Sequence, residues 1–294
     1  MTPALQRSSA KSAEVLVTGE FAFSAADFRA IAEIAKAEAG IDLAESKATL
    51  VYSRLAKRLR SLGLATFAEY CDTVRNNDQE RGHMIAALTT NVTRFFREPH
   101  HFEHLRKNIL EPQATHIRKG GRIRLWSSAC SSGQEPYSMA LTVLSVFPDA
   151  AELDIRILAT DLNPNVVAHG KRGQYRKEEL TEVPQGMRVK WFETVPGDPD
   201  SMRVSEAARS LIAFRELNLM GNWPFKGPFD AIFCRNVAIY FDHDTQGMIW
   251  RRLSNLLVDD GALYIGHSER VSGPALKVLR TDGVTSYRKK GARQ

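Results

Sequence analysis

The stretch "SSACSSGQEPYSMA", residues 127–140, decides how the chain folds. It follows an apolar run with Ile123, Leu125 and Trp126 and leads into the helical spacing of Met139, Leu141 and Leu144. A buried strand that ends on small residues and turns into a helix is the opening βα step of a parallel sheet. Ligands of open α/β sheets bind in the crevice at such strand ends. Small side chains let a ligand approach the backbone, and Gly133 tolerates the angles such an approach needs. Gln134 and Glu135 then open the helix. A phosphate-binding turn wants amides, lysine and the positive end of a helix dipole, so a carboxylate here favours a cationic or amino-bearing ligand.

Working outward, "RIRLWSSA" is followed by a helix from Glu135, then "DIRILATDL", a helix around 163–171, "DAIFCRN", a helix around 244–257 and "GALYIGHS". This alternation predicts a doubly wound, Rossmann-like α/β domain over 91–294. Between 178 and 217, "VKWFETV", "SMRVSE" and "LIAFREL" surround Pro196, Gly197 and Pro199 and read as a small antiparallel β insertion. Upstream, residues 21–90 read as a small all-helical N-terminal domain. Ser24 caps "AADFRAIAEIAKAEAG", Gly40 stops it, and further helices follow at about 45–62, 66–75 and 78–90, with Gly63 as a break. Residues 1–20, rich in Ser, Ala and Thr, read as a flexible leader.

The chain has 294 residues, 43% hydrophobic and 25% charged, enough for a sizeable core. It has no apolar run near the roughly 20 residues of a membrane span and no secretion-signal core at the N-terminus, which leads to the expectation of a cytoplasmic protein. Cys71, Cys130 and Cys234 are widely spaced and read as reduced thiols, Cys130 and Cys234 as small buried ones. Lys and Arg outnumber Asp and Glu by 40 to 34, so acidic partners are expected. The excess is concentrated in "SKATLVYSRLAKRLR", residues 46–60, which holds Lys47, Arg54, Lys57, Arg58 and Arg60 and no acid. Helical spacing gathers Val51, Leu55, Leu59 and Leu62 on one side and Lys47, Arg54 and Arg58 on its flank. Such a flank is a solvated face, a nucleic-acid contact or a dock for an acidic protein surface.

Neither G-x-G-x-x-G nor G-x-x-x-x-G-K-[ST] occurs, which removes the best support for nicotinamide or nucleoside triphosphate. S-adenosylmethionine fits better: it carries a sulfonium, an α-amino group, a ribose and an adenine, and no phosphate. "ILATDLN" puts Asp161 at the next strand's carboxyl end, where an acid can accept ribose hydroxyls. Glu135 as a first-turn acid and Asp161 as a helix cap is the plainer reading of either residue alone, and weaker for both in this order. His100, His101 and His104 have no carboxylate or cysteine at ligand spacing, so they read as a solvated helix face and no metal is expected.

"TTNVTRFFREPHHFEHL" (89–105), "WSSACSSGQEPYSMAL", "ILATDLN", "LNLMGNWPFKGPFDAIFCRNVAIYFD" (217–242) and "GALYIGHSE" together resemble the CheR-type methyltransferases, over roughly residues 21–290. The resemblance implies an S-adenosylmethionine-dependent protein-glutamate O-methyltransferase. Such an enzyme esterifies glutamates on methyl-accepting chemotaxis receptors, in the sensory adaptation branch of chemotactic signal transduction, and releases S-adenosylhomocysteine. It also implies that Asn91, Thr93, Arg97, Glu135, Asp161, Asn218, Leu219, Arg235 and Asn236 line the cofactor site. Asp161 would hold the ribose, Asn218 and Leu219 the adenine, and Glu135 the cationic amino-acid end. Where family members usually carry a second acid, this chain has Gln134, which lowers the site's negative charge by one.

Arg97 faces either the cofactor carboxylate or the incoming substrate carboxylate, and the expected role is near the reaction, orienting the latter. Tyr240 either places a hydroxyl beside the attacking oxygen or is an aromatic packed in the core. Lys47, Arg54, Lys57 and Arg58 would dock the acidic receptor segment. A nucleic-acid methyltransferase is the main alternative, but the place of its N/D-P-P-Y block reads "CRNVAIYF". A non-catalytic S-adenosylmethionine-binding adaptor is a second. A monomer is expected, with no nucleic acid and no membrane insertion.

Overall fold

A computed structural model describes residues 14–291 and divides the chain into two units, Met1–Leu88 and Thr89–Gln294. Among the described residues no helix is long and apolar enough to cross a membrane.

In the first unit, strand β1 (Val15–Val17) pairs antiparallel with β2 (Phe23–Ser24). The leader expectation over 1–20 is therefore corrected at its C-terminal end, where Val15 and Val17 join a two-stranded ribbon; residues 1–13 lie outside the described part. Helix α1 (Ala25–Ala39) starts at a reciprocal cap: the Asp27 amide donates to Ser24 Oγ at 3.2 Å and the Ser24 amide to Asp27 Oδ2 at 2.9 Å. Gly40, at φ 69°, ends it. Then come α2 (Ala48–Leu62), α3 (Phe67–Asn76) and α4 (Asp78–Leu88). Val51, Leu55 and Leu59 of α2 are buried, while Leu62, expected on the same stripe, is 41% exposed in the last turn. Phe23 and Phe67 meet at 4.4 Å between ring centres in this small core.

In the second unit, α5 (His100–Leu105) continues through a π turn at Arg106–Leu110 to α6 (Ala114–Arg118), and the sheet begins at β3 (Arg122–Ser127). The chain proceeds through α7 (Gln134–Val146), β4 (Asp154–Asp161) and α8 (Pro164–Arg172) to a small subdomain. That subdomain holds β5 (Gln174–Arg176), α9 (Gln185–Trp191), β6 (Phe192–Val195) and β7 (Asp198–Val204). After α10 (Glu206–Arg209) it returns through β8 (Ile212–Glu216), β9 (Phe229–Cys234), α11 (His243–Asn255), β10 (Leu257–Ile265), β11 (Leu279–Gly283) and β12 (Ser286–Lys289). The main sheet has the order β11-β12-β10-β9-β3-β4-β8, parallel except where β12 pairs antiparallel with β10 and β11.

Both faces are buried. Neighbouring residues of each strand join different clusters: Leu125, Phe233 and Tyr264 one, Trp126, Ile232 and Leu263 the other. Two details differ from the expected insertion. "LIAFREL" supplies β8, the edge strand of the main sheet; its half-exposed alternation is what made it look like part of an antiparallel hairpin. Val189–Trp191 end a helix, and only Phe192–Val195 are extended, pairing with β7, which also pairs with β5.

Candidate active site

The chain leaves β3 for β4 and β8 on one side and returns through β9 and β10 on the other, so the strand order reverses between β3 and β9. At this reversal the turn after β3 is tied to both neighbours. The Ser128 amide and hydroxyl donate to the Phe233 carbonyl at 2.9 and 3.0 Å, and the Cys130 amide donates to the Thr160 carbonyl at 2.8 Å. Ser131 sits at φ 49° and Gly133 at φ 100°. A Cβ on Gly133 would lie 2.7 Å from Tyr175 Oη and 2.8 Å from Gly170 Cα, so only glycine fits there.

Asp161, at the end of β4, is buried and accepts the Ser131 amide at 2.8 Å and the Asn163 amide at 3.0 Å, one on each oxygen. Burial pushes its carboxyl above the usual range and these amides pull it back. With the Leu162 amide as a further donor, the carboxylate still has acceptor capacity for a hydroxyl. Ser131 also donates through Oγ to the Asn91 carbonyl at 2.9 Å, which joins the 89–99 segment to the same turn. Leu217, next to Asn218, donates its amide to the Asp161 carbonyl at 2.9 Å. Arg252 donates to the Leu219 carbonyl at 2.7 Å and lies 3.8 Å from the Trp223 ring centre, which braces the Asn218–Gly221 turn.

Glu135 is more enclosed than expected. Its Oε1 accepts Ser127 Oγ at 2.7 Å and its Oε2 accepts Arg235 Nη1 at 2.9 Å. Burial raises its carboxyl, with the Arg235 charge and the two hydrogen bonds pulling against this. Arg235, expected to line the cofactor site, has a side chain only 1% exposed. It clamps Glu135, Glu98 (3.3 Å) and the Arg97 carbonyl beneath the surface. Glu98 in turn accepts the His267 amide at 3.3 Å. Two acids against one guanidinium leave this cluster one negative charge.

The 89–99 segment is held by Phe95, buried edge-on against Tyr175 at 5.0 Å and Phe192 at 5.8 Å, and by the Phe96 amide on Ser138 Oγ at 2.8 Å. Phe96 and Glu98 have left-handed φ of 49° and 57°. Thr93 and Arg97 are half-buried on it, and Arg97 donates to the Val92 carbonyl at 3.2 Å. Asn236, two residues past the end of β9, is also left-handed at φ 58°. Tyr240, on a short 3-10 turn, is half-buried against the Trp126–Trp250 core cluster.

The strand exits thus bring together Asn91, Arg97, Glu135, Asp161, Asn218, Leu219, Arg235 and Asn236, with Thr93 on the same segment as Asn91. Lys47, Arg54, Lys57 and Arg58 belong to the first unit. There Arg54 Nη1 donates to the Leu88 carbonyl at 2.6 Å, and Arg58 makes a bidentate pair with buried Glu80 at 2.9 and 2.5 Å. These two tie α2 to α4, whereas Lys47 and Lys57 are exposed.

The histidine expectation is also corrected. His101 is fully buried, with Nε2 2.9 Å from Thr285 Oγ1, and His104 is wedged between Tyr264 Oη (2.9 Å) and Asp282; only His100 is exposed. Burial and the nearby Arg235 push the His101 imidazole far below its ordinary range. A carboxylate does stand near: Glu98, His100 and His101 offer ligand atoms within 4.8 Å of one another. Glu98 Oε2 faces the Arg235 guanidinium, however, so a divalent ion there would meet another cation. All three cysteines are buried, and burial raises their thiols. Glu98 and Glu269 are the site groups that sequence reasoning missed. Both stand in the quoted blocks, but their partners come from other strand exits.

Residues 91–285 match the family described as "CheR methyltransferase, SAM binding domain", and residues 26–89 match "CheR methyltransferase, all-alpha domain". A probable chemotaxis protein methyltransferase of Rhizobium etli is 52% identical over 254 residues, 85% of this chain and 95% of that protein. Chemotaxis protein methyltransferase 2 of Pseudomonas aeruginosa is 39% identical over 91% of this chain and 94% of that protein. The chemotaxis protein methyltransferase of Escherichia coli is 41% identical over 87% of this chain and 88% of that protein.

Proposed function

The chain belongs to the CheR methyltransferase family, and from that premise we propose that it methylates glutamate side chains of chemotaxis receptors, giving methyl esters. S-adenosylmethionine is the donor of this family's chemistry. The observation that carries the proposal is the acidic crevice where β3, β4 and β9 end. Asp161 retains acceptor capacity there, the Glu135–Glu98–Arg235 cluster is net negative, and the turn is closed to side chains at Gly133. These groups fit a donor with hydroxyls and a cationic centre and would repel a phosphate.

When bound, S-adenosylmethionine supplies a methyl group made electrophilic by the sulfonium. A glutamate side chain, with an ordinary pKa of about 4.3, is already ionised at neutral pH, so the chain need supply no general base. Its task is alignment and exclusion of water. Asp161 would hold the ribose hydroxyls, with Asn218 and Leu219 at the adenine and Asn91, Thr93 and Asn236 completing the rim. Glu135 contributes mainly charge, since its oxygens already hold Ser127 and Arg235. Arg97 spends one N–H on Val92 and retains its fork for the incoming carboxylate. Tyr240 contributes packing, with its hydroxyl as a second contact to the substrate. The receptor's cytoplasmic segment is the partner, and the protein acts in the cytoplasm.

Incubation with methyl-labelled S-adenosylmethionine, receptor cytoplasmic fragments and RNA tests this directly. Base-labile label on the receptor fragment is the expected result. Label on RNA would replace the proposal with a nucleic-acid methyltransferase, and donor binding with no label on either would leave an adaptor.

A further inference from the structure

Glu269 lies four residues past the end of β10 and reaches under the segment that follows β9. Its carboxylate is buried and accepts four main-chain amides: Asn236 at 3.0 Å and Gly266 at 2.5 Å on Oε2, Val237 at 3.0 Å and Ala238 at 2.7 Å on Oε1. An ionised carboxylate has about four acceptor directions, so these bonds use its capacity. Three of the donors are consecutive residues, and the first of them, Asn236, is left-handed at φ 58°. Asparagine is among the few residues with a side chain that adopt this angle readily, and the three amide bonds select it here. The two strand exits also touch. A Cβ on Gly266 would come within 2.9 Å of the Asn236 nitrogen and of Glu269 Oε2.

We propose that Glu269 is a positioning residue for the methyl donor, fixing the main chain at 236–238 so that Asn236 meets the donor in one conformation above the buried Arg235. It touches no reactant itself, and the inference rests on reading the crevice as the donor site. A carboxylate is required because both of its oxygens receive amides. A glutamine would turn an NH2 group against two N–H donors.

Isothermal titration of S-adenosylhomocysteine into wild type and E269Q tests the assignment, together with KM for donor and for receptor fragment. E269Q is expected to raise the product Kd and the donor KM at least tenfold, while the receptor KM stays within twofold. E269D keeps the charge but is one methylene short, and should recover part of the loss. A merely structural role would lower Tm without separating the two KM values. Folded E269Q with wild-type Kd overturns the inference. Should E269Q not fold, G266A presses on the same segment from the other side: a tenfold rise in Kd is expected there, and an unchanged Kd is fatal. Wild type that binds no product would overturn the reading of the crevice and this inference together.

Discussion

Arg97 and Arg235 stand on successive layers of the same site, and substitution should separate them. Arg97 is half-buried with one main-chain bond, so R97A should cut methyl transfer by about 10²-fold or more with little change in Tm. Arg235 is enclosed between Glu135 and Glu98, so R235A leaves buried Glu135 and half-buried Glu98 unpaired and should cost about 3 kcal/mol in chemical denaturation. Equal Tm losses in the two variants would contradict this layering. Gln134 makes a similar point about context. Its Nε2 donates to Glu179 Oε1 at 3.2 Å, while its Oε1 accepts Ser132 Oγ at 2.8 Å. The acid usual in the family would here face another carboxylate, so Q134E should lose about 1–3 kcal/mol and regain most of it in Q134E/E179Q. If the double variant is as unstable as Q134E, Glu179 is not the reason for the glutamine. Glu135 and Asp161 were legible in the sequence because an acid at a strand exit is a local pattern. Their partners were not: Arg235 lies 100 residues from Glu135.

At the scale of elements, α2 shows how a helix face can mislead. Its basic flank looks solvated in isolation, and the counter-charge sits 22 residues away on α4, where Glu80 is buried and also accepts Tyr70 Oη at 3.0 Å. Burial pushes the Glu80 carboxyl up, but the hydrogen bonds from Arg58 and Tyr70 outweigh it and hold it below its ordinary range. A carboxyl whose folded pKa is depressed adds stability that is present above its unfolded pKa of about 4.3 and is lost as pH falls through the lower folded value. Wild-type unfolding free energy should therefore decline below about pH 4, and E80Q, already less stable at pH 7, should show a flatter acid limb. Parallel acid limbs would mean that Glu80 does not titrate in this way. The helices themselves were legible because caps and stops are local: Ser24 at the start of α1 and glycine at 40 and 63. The assignment of β8 was not, because an edge strand and an antiparallel hairpin share the same half-exposed alternation.

Over the whole molecule, charge excess and charge availability are different quantities. The sequence holds six more basic than acidic residues, but two of the four proposed docking residues are bound to α4 within their own unit. Substituting Arg54 or Arg58 would therefore confound docking with stability, which makes the exposed lysines the proper probes. Long-range attraction to an acidic receptor segment acts mainly on encounter and is screened over about 8 Å at physiological salt. K47E/K57E should raise the receptor KM about three- to tenfold at low ionic strength, leaving S-adenosylhomocysteine affinity and Tm unchanged. The difference from wild type should shrink as salt is raised toward about 0.5 M, where the screening length is only a few ångströms. A receptor KM indifferent to both the lysines and the salt would move docking away from α2 altogether. Loss of product affinity in the same variant would instead tie the helical unit to the donor site, which its charge pattern alone gives no reason to expect.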